Sequence, residues 1–398
     1  MELRPYQETG RDFLAAHTRA LLADEMRVGK TPQAILAAHK IGAKRLLVVC
    51  PAIGVAHWQR ELQMWWPDSK SPDTTIYSYD KARRYMAEGL KYPQRWDLMI
   101  VDECHFAKNP EAGRTKAVYG KGGFGWNADR IWVLSGTPAP KHAGELWPMM
   151  YAFGLTSLSY DTFCRLYCRL DRDNNPKGTK VSMIPEIRQA LSRVSLRRTR
   201  REVAPEIPDI DYQFLAVAPT GVDLPPYVQW NEHNPGAFAV ERHKVAHAKV
   251  DSLVDQIVFA IENELIKQTV VFGWHIDPIH AVVAKLRQHG IVAEPLTGGT
   301  SPVDRAHVQQ KFKYGMVQVV CANLLAAGTT IDLSAARHAY FLELDWVPGN
   351  NVQAANRLVS MEKVDPVTCD VVTWPGSFDD RVQASLLTRT RELSKLFR

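Results

Sequence analysis

Three residues, Gly29, Lys30 and Thr31, stand together in the stretch Leu22–Gln33, LADEMRVGKTPQ. Together they form the GK[ST] end of a phosphate-binding loop. Glycine lets backbone N–H groups approach phosphate oxygens, lysine neutralises their charge, and the threonine hydroxyl holds Mg²⁺. The match is partial, because Asp24 stands at the usual first glycine and Arg27 lies three residues before the lysine. A second chemical feature, Asp102–Glu103, ends the apolar run DLMIVD 72 residues after Lys30. An aspartate there can hold Mg²⁺ through water, and the adjacent glutamate can orient or deprotonate a water that attacks a γ-phosphate. The two features together point to hydrolysis of a Mg-nucleotide.

These groups need elements to position them. A helix from about Thr31 to His39, stopped near Gly42, would aim its N-terminal dipole at the same phosphates. The runs Arg45–Cys50, Asp97–Asp102 and Ile131–Ser135 are short, apolar and separated by helical stretches. Such runs indicate parallel strands covered on both faces. Ligands of such sheets sit at the carboxyl ends of the strands, which places Asp102, Glu103, Ser135 and Thr137 on the edge that carries the phosphate loop.

The alternation breaks over residues 151–205. YDTFCRLYCRL and IPEIRQALSRVSLRRTRREV read as helices flanking a turn at Asn174–Gly178. Residues 165–202 hold eleven Lys/Arg against four Asp/Glu, which accounts for the whole net charge of +6. A concentrated basic segment suits a polyanion, because each neutralised phosphate releases counterions. Pro205–Pro208 marks a boundary. Beyond it Tyr212–Val217, Thr269–Phe272, Gln318–Cys321, Ala339–Leu344 and Cys369–Thr373 read as strands, with a long amphipathic helix near Val250–Leu265. Two α/β domains with one nucleotide loop suggest that ATP lies in a cleft and controls its closure.

Composition sets outer limits. With 398 residues, 45% hydrophobic and 23% charged, the chain suits two domains that each bury a core. No run of eighteen apolar residues occurs and MELRPYQETG lacks a secretory h-region, so neither a membrane span nor secretion is expected; a cytosolic or nuclear location is. The six cysteines read as reduced core thiols. Cys164 and Cys168, four apart, could share a helical face, as could His243 and His247, but neither pair has the partners a metal site needs.

In order along the chain, LRPYQ (3–7), ADEMRVGKTPQ (23–33), VVCPA (48–52), SYD (78–80), VDECH (101–105) and LSGTP (134–138) resemble the first lobe of superfamily-two helicases. The resemblance is to the Swi/Snf-type DNA translocases, whose loop reads DEMGLGKTxQ. LRRTRREV (196–203) resembles the element linking their lobes. VVFGWH (270–275), LTGGTSPVDRAHVQQKF (296–312), AAGTTIDLSAA (326–336), ELDWVPG (343–349) and QAANR (353–357) follow in the second lobe's order. The layout is most similar to the annealing-helicase and fork-remodelling subgroup.

The resemblance implies two tandem RecA-like domains, 1–205 and 206–398, with a helical basic extension at 151–205. It implies a monomeric DNA-dependent ATPase acting on duplex or branched DNA with ATP and Mg²⁺. Gln7 would recognise adenine, with Gly29, Lys30, Thr31 and Gln33 completing the nucleotide site. Asp102 and Glu103 would handle metal and water, Arg357 would assist catalysis, and His105 with Ser135, Gly136 and Thr137 would couple the lobes. Ser78, Arg197, Arg198, Gly299 and Thr300 would contact the DNA backbone, the contact mode of a motor that ignores sequence. Three positions depart from the family pattern: Arg27 replaces a loop glycine, Thr330 replaces a glycine of the second-lobe motif, and Ser360 replaces the second arginine of QAxxRxxR. Arg357 keeps the first arginine; Arg337 and Lys363 are weaker substitutes for the second. A slow ATPase follows from the Ser360 departure. The alternatives are a DNA-binding relic without turnover, an RNA helicase, and a restriction-type motor for which no nuclease cluster is present.

Overall fold

The computed structural model describes residues 2–52, 54–67, 71–89, 95–207, 209–219, 221, 223, 235–324, 331–360 and 365–386, with 235–237 as backbone only. The chain divides into two compact units that meet in sequence at Pro205 and Glu206.

The first unit is built on a six-stranded sheet. Its strands are β1 (Arg19–Leu22), β2 (Arg45–Cys50), β3 (Asp73–Ser78), β4 (Trp96–Asp102), β5 (Ala128–Leu134) and, after the hairpin strands β6 (Cys168–Leu170) and β7 (Pro176–Thr179), β8 (Ser195–Leu196). The order is β3-β2-β4-β5-β1-β8 and every pairing is parallel. Leu46 to Cys50 are fully buried, as a strand covered on both faces requires. One core lies on the side of α1 (Pro5–Ala16), α2 (Lys30–Lys40) and α3 (Gly54–Trp65), and contains Leu14, Ile35, Trp58 and Trp132. The opposite core lies under α4 (Tyr79–Ala87) and α5 (Gly113–Tyr119) and continues through α6 (Trp147–Ala152) to Phe163 of α7 (Tyr160–Tyr167) and Ile187 of α8 (Ile184–Ser192).

Two expectations for residues 151–205 are overturned. Helix α7 stops at Tyr167, and Cys168 turns extended (φ −112°, ψ 149°) to start a hairpin, so Cys164 and Cys168 do not share a helical face. The hairpin turn includes Asn174 at φ 63°, a left-handed conformation that Asn tolerates. The stretch 184–203 is likewise not one helix: α8 ends at Ser192 and the chain pairs with β1 (Leu21 with Ser195, Leu22 with Leu196). The cause is that β1 otherwise presents a row of unpaired backbone groups on that side.

The second unit repeats the design with β9 (Ile210–Ala216), β10 (Thr269–Gly273), β11 (Ala293–Leu296), β12 (Val319–Asn323), β13 (His338–Phe341) and β14 (Val367–Thr373). Their order is β11-β12-β10-β13-β14-β9, again all parallel. Among the described residues, no helix is long and apolar enough to cross a membrane, and all six cysteines are free and buried.

Candidate active site

Strand β1 runs into the loop Ala23–Gly29, and α2 begins at Lys30. Two residues of the loop are left-handed, Arg27 at φ 66° and Gly29 at φ 74°. Gly29 is required twice over, because a Cβ there would also stand 2.4 Å from Gln7 Nε2. Arg27 has no such freedom and pays roughly 1–2 kcal/mol for its conformation. The Lys30 ammonium donates to the carbonyls of Asp24 and Glu25, both at 2.9 Å, so the loop is curled around it. Gln7 donates to Val28 O (3.2 Å) and accepts from Arg4 N (2.9 Å), which fixes its amide beside the loop. Gln33 donates to Gly29 O at 3.0 Å, and Thr31 lies half-buried in the first turn of α2, where helical N–H groups have no intrahelical partner.

The acidic pair lies at the carboxyl end of β4, two strands from β1 in the same sheet. Asp102 accepts a hydrogen bond from Trp58 Nε1 at 2.8 Å. Burial pushes its pKa up to about 6 and the neighbouring Glu103 charge adds to this, against the Trp58 hydrogen bond and Lys30. Burial likewise pulls the Lys30 ammonium down, while Glu103, Asp24 and Asp102 favour its charge. Glu103 is itself left-handed at φ 52°. Its carboxylate accepts from Ser135 Oγ at 3.1 Å, and His105 Nδ1 lies 3.3 Å away. The Tyr79 hydroxyl props this strained corner from below, donating to Asp102 O (2.8 Å) and Glu103 O (3.3 Å).

The Ser135–Thr137 turn completes the edge. Ser135 N donates to Leu22 O and Thr137 N to Ser135 Oγ, both at 3.2 Å, and a Cβ on Gly136 would press on Met26 of the loop. The carboxyl ends of β1, β4 and β5 therefore bring together Lys30, Asp102, Glu103, His105 and Ser135.

Arg197 and Arg198 are placed differently from expectation. Arg198 makes a two-pronged ion pair with Asp24 (Nε to Oδ1 3.0 Å), donates to Gln33 Oε1 at 3.0 Å and also reaches the Tyr6 carbonyl. Arg197 donates to Ala23 O (2.9 Å) and Gly136 O (3.3 Å). Both guanidinium groups brace the nucleotide loop from the strand β8 side rather than facing solvent, because β8 carries them over the end of β1. Their basic neighbours Arg165, Arg169, Arg172, Lys177, Arg188 and Arg193 are exposed.

The remaining expected residues are scattered. Ser78 caps α4 by accepting from Lys81 N at 3.1 Å. Gly299 and Thr300 lie in the turn between β11 and the helix Pro302–Lys313, where Thr300 Oγ1 accepts from Thr297 N and Arg305 donates to Thr300 O. Arg357 follows helix Pro348–Ala355, its carbonyl accepting from Leu333 N at 3.0 Å, with Ser360 half-buried nearby in sequence. Thr330 and Lys363 lie outside the described residues.

Sequence reasoning missed Trp58, Tyr79 and the structural role of Asp24. Only Asp24 carried a signal: an acid in an otherwise apolar strand-to-loop junction demands a cationic partner.

Among the described residues, no group of three His, Cys, Asp or Glu is set to hold a metal by itself. The Thr31 hydroxyl and the Asp102 carboxylate fit Mg²⁺, which is held by one or two side chains together with waters and nucleotide phosphates. The curled lysine loop above a helix N-terminus fits the phosphates.

A family model described as the SNF2-related domain matches residues 6–87 and 69–265, and one described as the helicase conserved C-terminal domain matches 248–361. The SWI/SNF-related matrix-associated actin-dependent regulator of chromatin subfamily A-like protein 1 of Xenopus laevis is 27% identical over 95% of this chain and 42% of its own length. The human DNA annealing helicase and endonuclease ZRANB3 is 25% identical over 95% of this chain and 39% of its own. The chain thus spans less than half the length of these two relatives. The Sulfolobus solfataricus SWI2/SNF2 ATPase core in complex with dsDNA covers 100% of this chain and 97% of its own at 18% identity, with a TM-score of 0.46.

Proposed function

Since the chain belongs to the SNF2-related family, we propose that it is a Mg²⁺-dependent ATPase stimulated by DNA, which moves on or remodels duplex or branched DNA. The observation that carries this reading is the convergence of Lys30, Asp102, Glu103 and Ser135 on one edge of the first sheet. The proposed limits of the two lobes are 1–205 and 206–398, with 151–205 as an extension of the first.

When bound, Mg-ATP supplies the phosphoanhydride whose hydrolysis powers movement. Lys30 and the first-turn N–H groups of α2 take up phosphate charge, and Gln7 and Gln33 border the same loop. Thr31 and Asp102 would hold the ion, with Trp58 fixing the Asp102 carboxylate. Glu103 would orient water and accept its proton; the Ser135 hydroxyl holds that carboxylate in place, with His105 beside it. Arg357 is proposed to stabilise charge on the transferred phosphoryl group. Ser78, Gly299 and Thr300 are proposed to meet DNA phosphates, while the roles of Arg197 and Arg198 move from DNA contact to support of the loop.

The deciding experiment measures ATP turnover with single-stranded, duplex and forked DNA and with RNA, for wild type, Lys30→Ala and Glu103→Gln. The expected result is stimulation by duplex or forked DNA in the wild type and loss of turnover in both variants. Equal turnover of wild type and Glu103→Gln in the presence of DNA would overturn the motor reading, and stimulation by RNA alone would overturn the DNA assignment.

A further inference from the structure

A cavity of about 580 Å³ opens on the first unit between Lys108–Asn109, Lys141–Glu145, α7 and the β6–β7 hairpin. One of its walls is Cys164. We propose that Cys164 and Cys168 form a thiol modification site in which a hydroperoxide oxidises Cys164 and Cys168 resolves it to a disulfide.

The geometry brings the two sulfurs together without a shared helical face. Cys168 N–H still donates to Cys164 O, closing the last turn of α7. The two Cα atoms are therefore one helical turn apart, about 6 Å, inside the roughly 4.4–6.8 Å that a disulfide spans. The two thiols are neighbours, each shifting the other. Gly144 makes room for this arrangement. A Cβ there would meet Cys164 Sγ at 2.9 Å and His142 Nδ1 at 3.0 Å, so thiol and imidazole pack on the same bare backbone.

The chemistry differs between the two cysteines. Hydrogen bonds from Cys168 and Tyr160 lower the Cys164 thiol against its burial, whereas the same bond to Cys164 and burial raise Cys168. Cys164 is thus the nucleophile: its thiolate attacks the peroxide O–O bond, forming S–O and releasing water (or an alcohol) once the leaving oxygen takes a proton. Sulfur is oxidised and peroxide reduced. Cys168 then attacks the sulfenic sulfur, the S–S bond forms, and the hydroxyl leaves as water with the Cys168 proton. Neutralising Cys164 in the first step removes the charge that held the Cys168 proton, which frees it for the second. The other four thiols, Cys50, Cys104, Cys321 and Cys369, are buried like these two, and burial raises each of them.

The test uses the full chain. Native protein is treated with a small excess of hydrogen peroxide, quenched, unfolded, alkylated with N-ethylmaleimide and digested with trypsin. The expected product joins the peptides 142–165 and 166–169 with a loss of two hydrogens, while the other four cysteines carry the alkyl group. Cys168→Ser is expected to stop at a dimedone-reactive sulfenic acid on Cys164, and Cys164→Ser to leave Cys168 unoxidised. Alkylation of both cysteines after peroxide treatment of the wild type would overturn the proposal, as would sulfinic acid on Cys164 with Cys168 still a thiol.

Discussion

Replacing Arg198 by alanine should destabilise the first lobe far more than removal of a surface arginine. Asp24 is fully buried, and the Arg198 side chain is only 13% exposed, so the pair is shielded from water on both sides. Removing the guanidinium leaves an uncompensated carboxylate in the interior, which costs about 3–5 kcal/mol. Gln33 and the Tyr6 carbonyl lose a donor at the same time. For a lobe of this size each kcal/mol lowers Tm by roughly 2–4 °C, so the midpoint should fall by roughly 6–20 °C, read by calorimetry or by tryptophan fluorescence. Arg198→Ala combined with Asp24→Asn should regain part of the loss, because the charge that needed the partner is gone; a coupling of roughly 2–3 kcal/mol is expected from the cycle. A change below 2 °C in the single variant, or strictly additive losses in the double, would refute the claim that this pair holds the loop.

Four further expectations follow from geometry elsewhere. Arg27→Gly should relieve the left-handed strain at φ 66° and offset the added freedom of the unfolded chain, giving a change between zero and about +1 kcal/mol in urea unfolding; a clear loss would show that the side chain holds the loop. Gly10→Ala should cost about 1–3 kcal/mol, because its Cβ would stand 1.8 Å from Gln33 Oε1, which Arg198 pins. Ser360→Arg should raise DNA-stimulated turnover at least roughly tenfold if the missing arginine limits the rate; unchanged turnover would place the limit elsewhere. In the second lobe, burial raises Glu343, yet the His275 hydrogen bond and the Arg242 charge outweigh it and hold the carboxyl below its ordinary 4.5. A depressed carboxylate stabilises above the unfolded value and loses that contribution as pH falls through the folded one. Stability of the second lobe should therefore decline below about pH 4.5, and Glu343→Gln should flatten that decline in urea titrations; an unaltered slope would assign it to other groups.

The legible part of the fold was the part written in long apolar runs. Arg45–Cys50 and Asp97–Asp102 announced buried parallel strands because every residue must suit a dry environment, and the chemistry at their ends followed from the direction of the chain. Strands β1 and β8, with four and two residues, are too short for a periodic signal, and the pairing that defines β8 is a contact between distant parts of the chain. Helical propensity in ALSRVSLRRTRREV was a sound local preference that lost to the backbone groups of β1. The same failure misdirected Arg197 and Arg198: on a solvated helix they would face a polyanion, whereas just past the strand beside β1 they turn inward to Ala23, Asp24 and Gly136. Trp58 was hidden for another reason. On α3 it looks like one more aromatic of a core face, and its indole N–H finds Asp102 only in three dimensions, 44 positions away.

Strand β8 has a consequence for how the protein is made. The first strand of the sheet waits for its outer neighbour, and Asp24 for its counter-ion, until a segment 174 positions downstream has been synthesised. At ribosomal rates of about 5–20 residues per second that delay is roughly 10–35 s. During it the nascent chain carries an open sheet edge and a charged loop that cannot yet close, which makes this interval the one in which a chaperone would have most to protect. A ribosome stalled ahead of Ser195 should therefore hold a chain whose loop near Lys30 is open to proteases, and one stalled well past Pro205 should not.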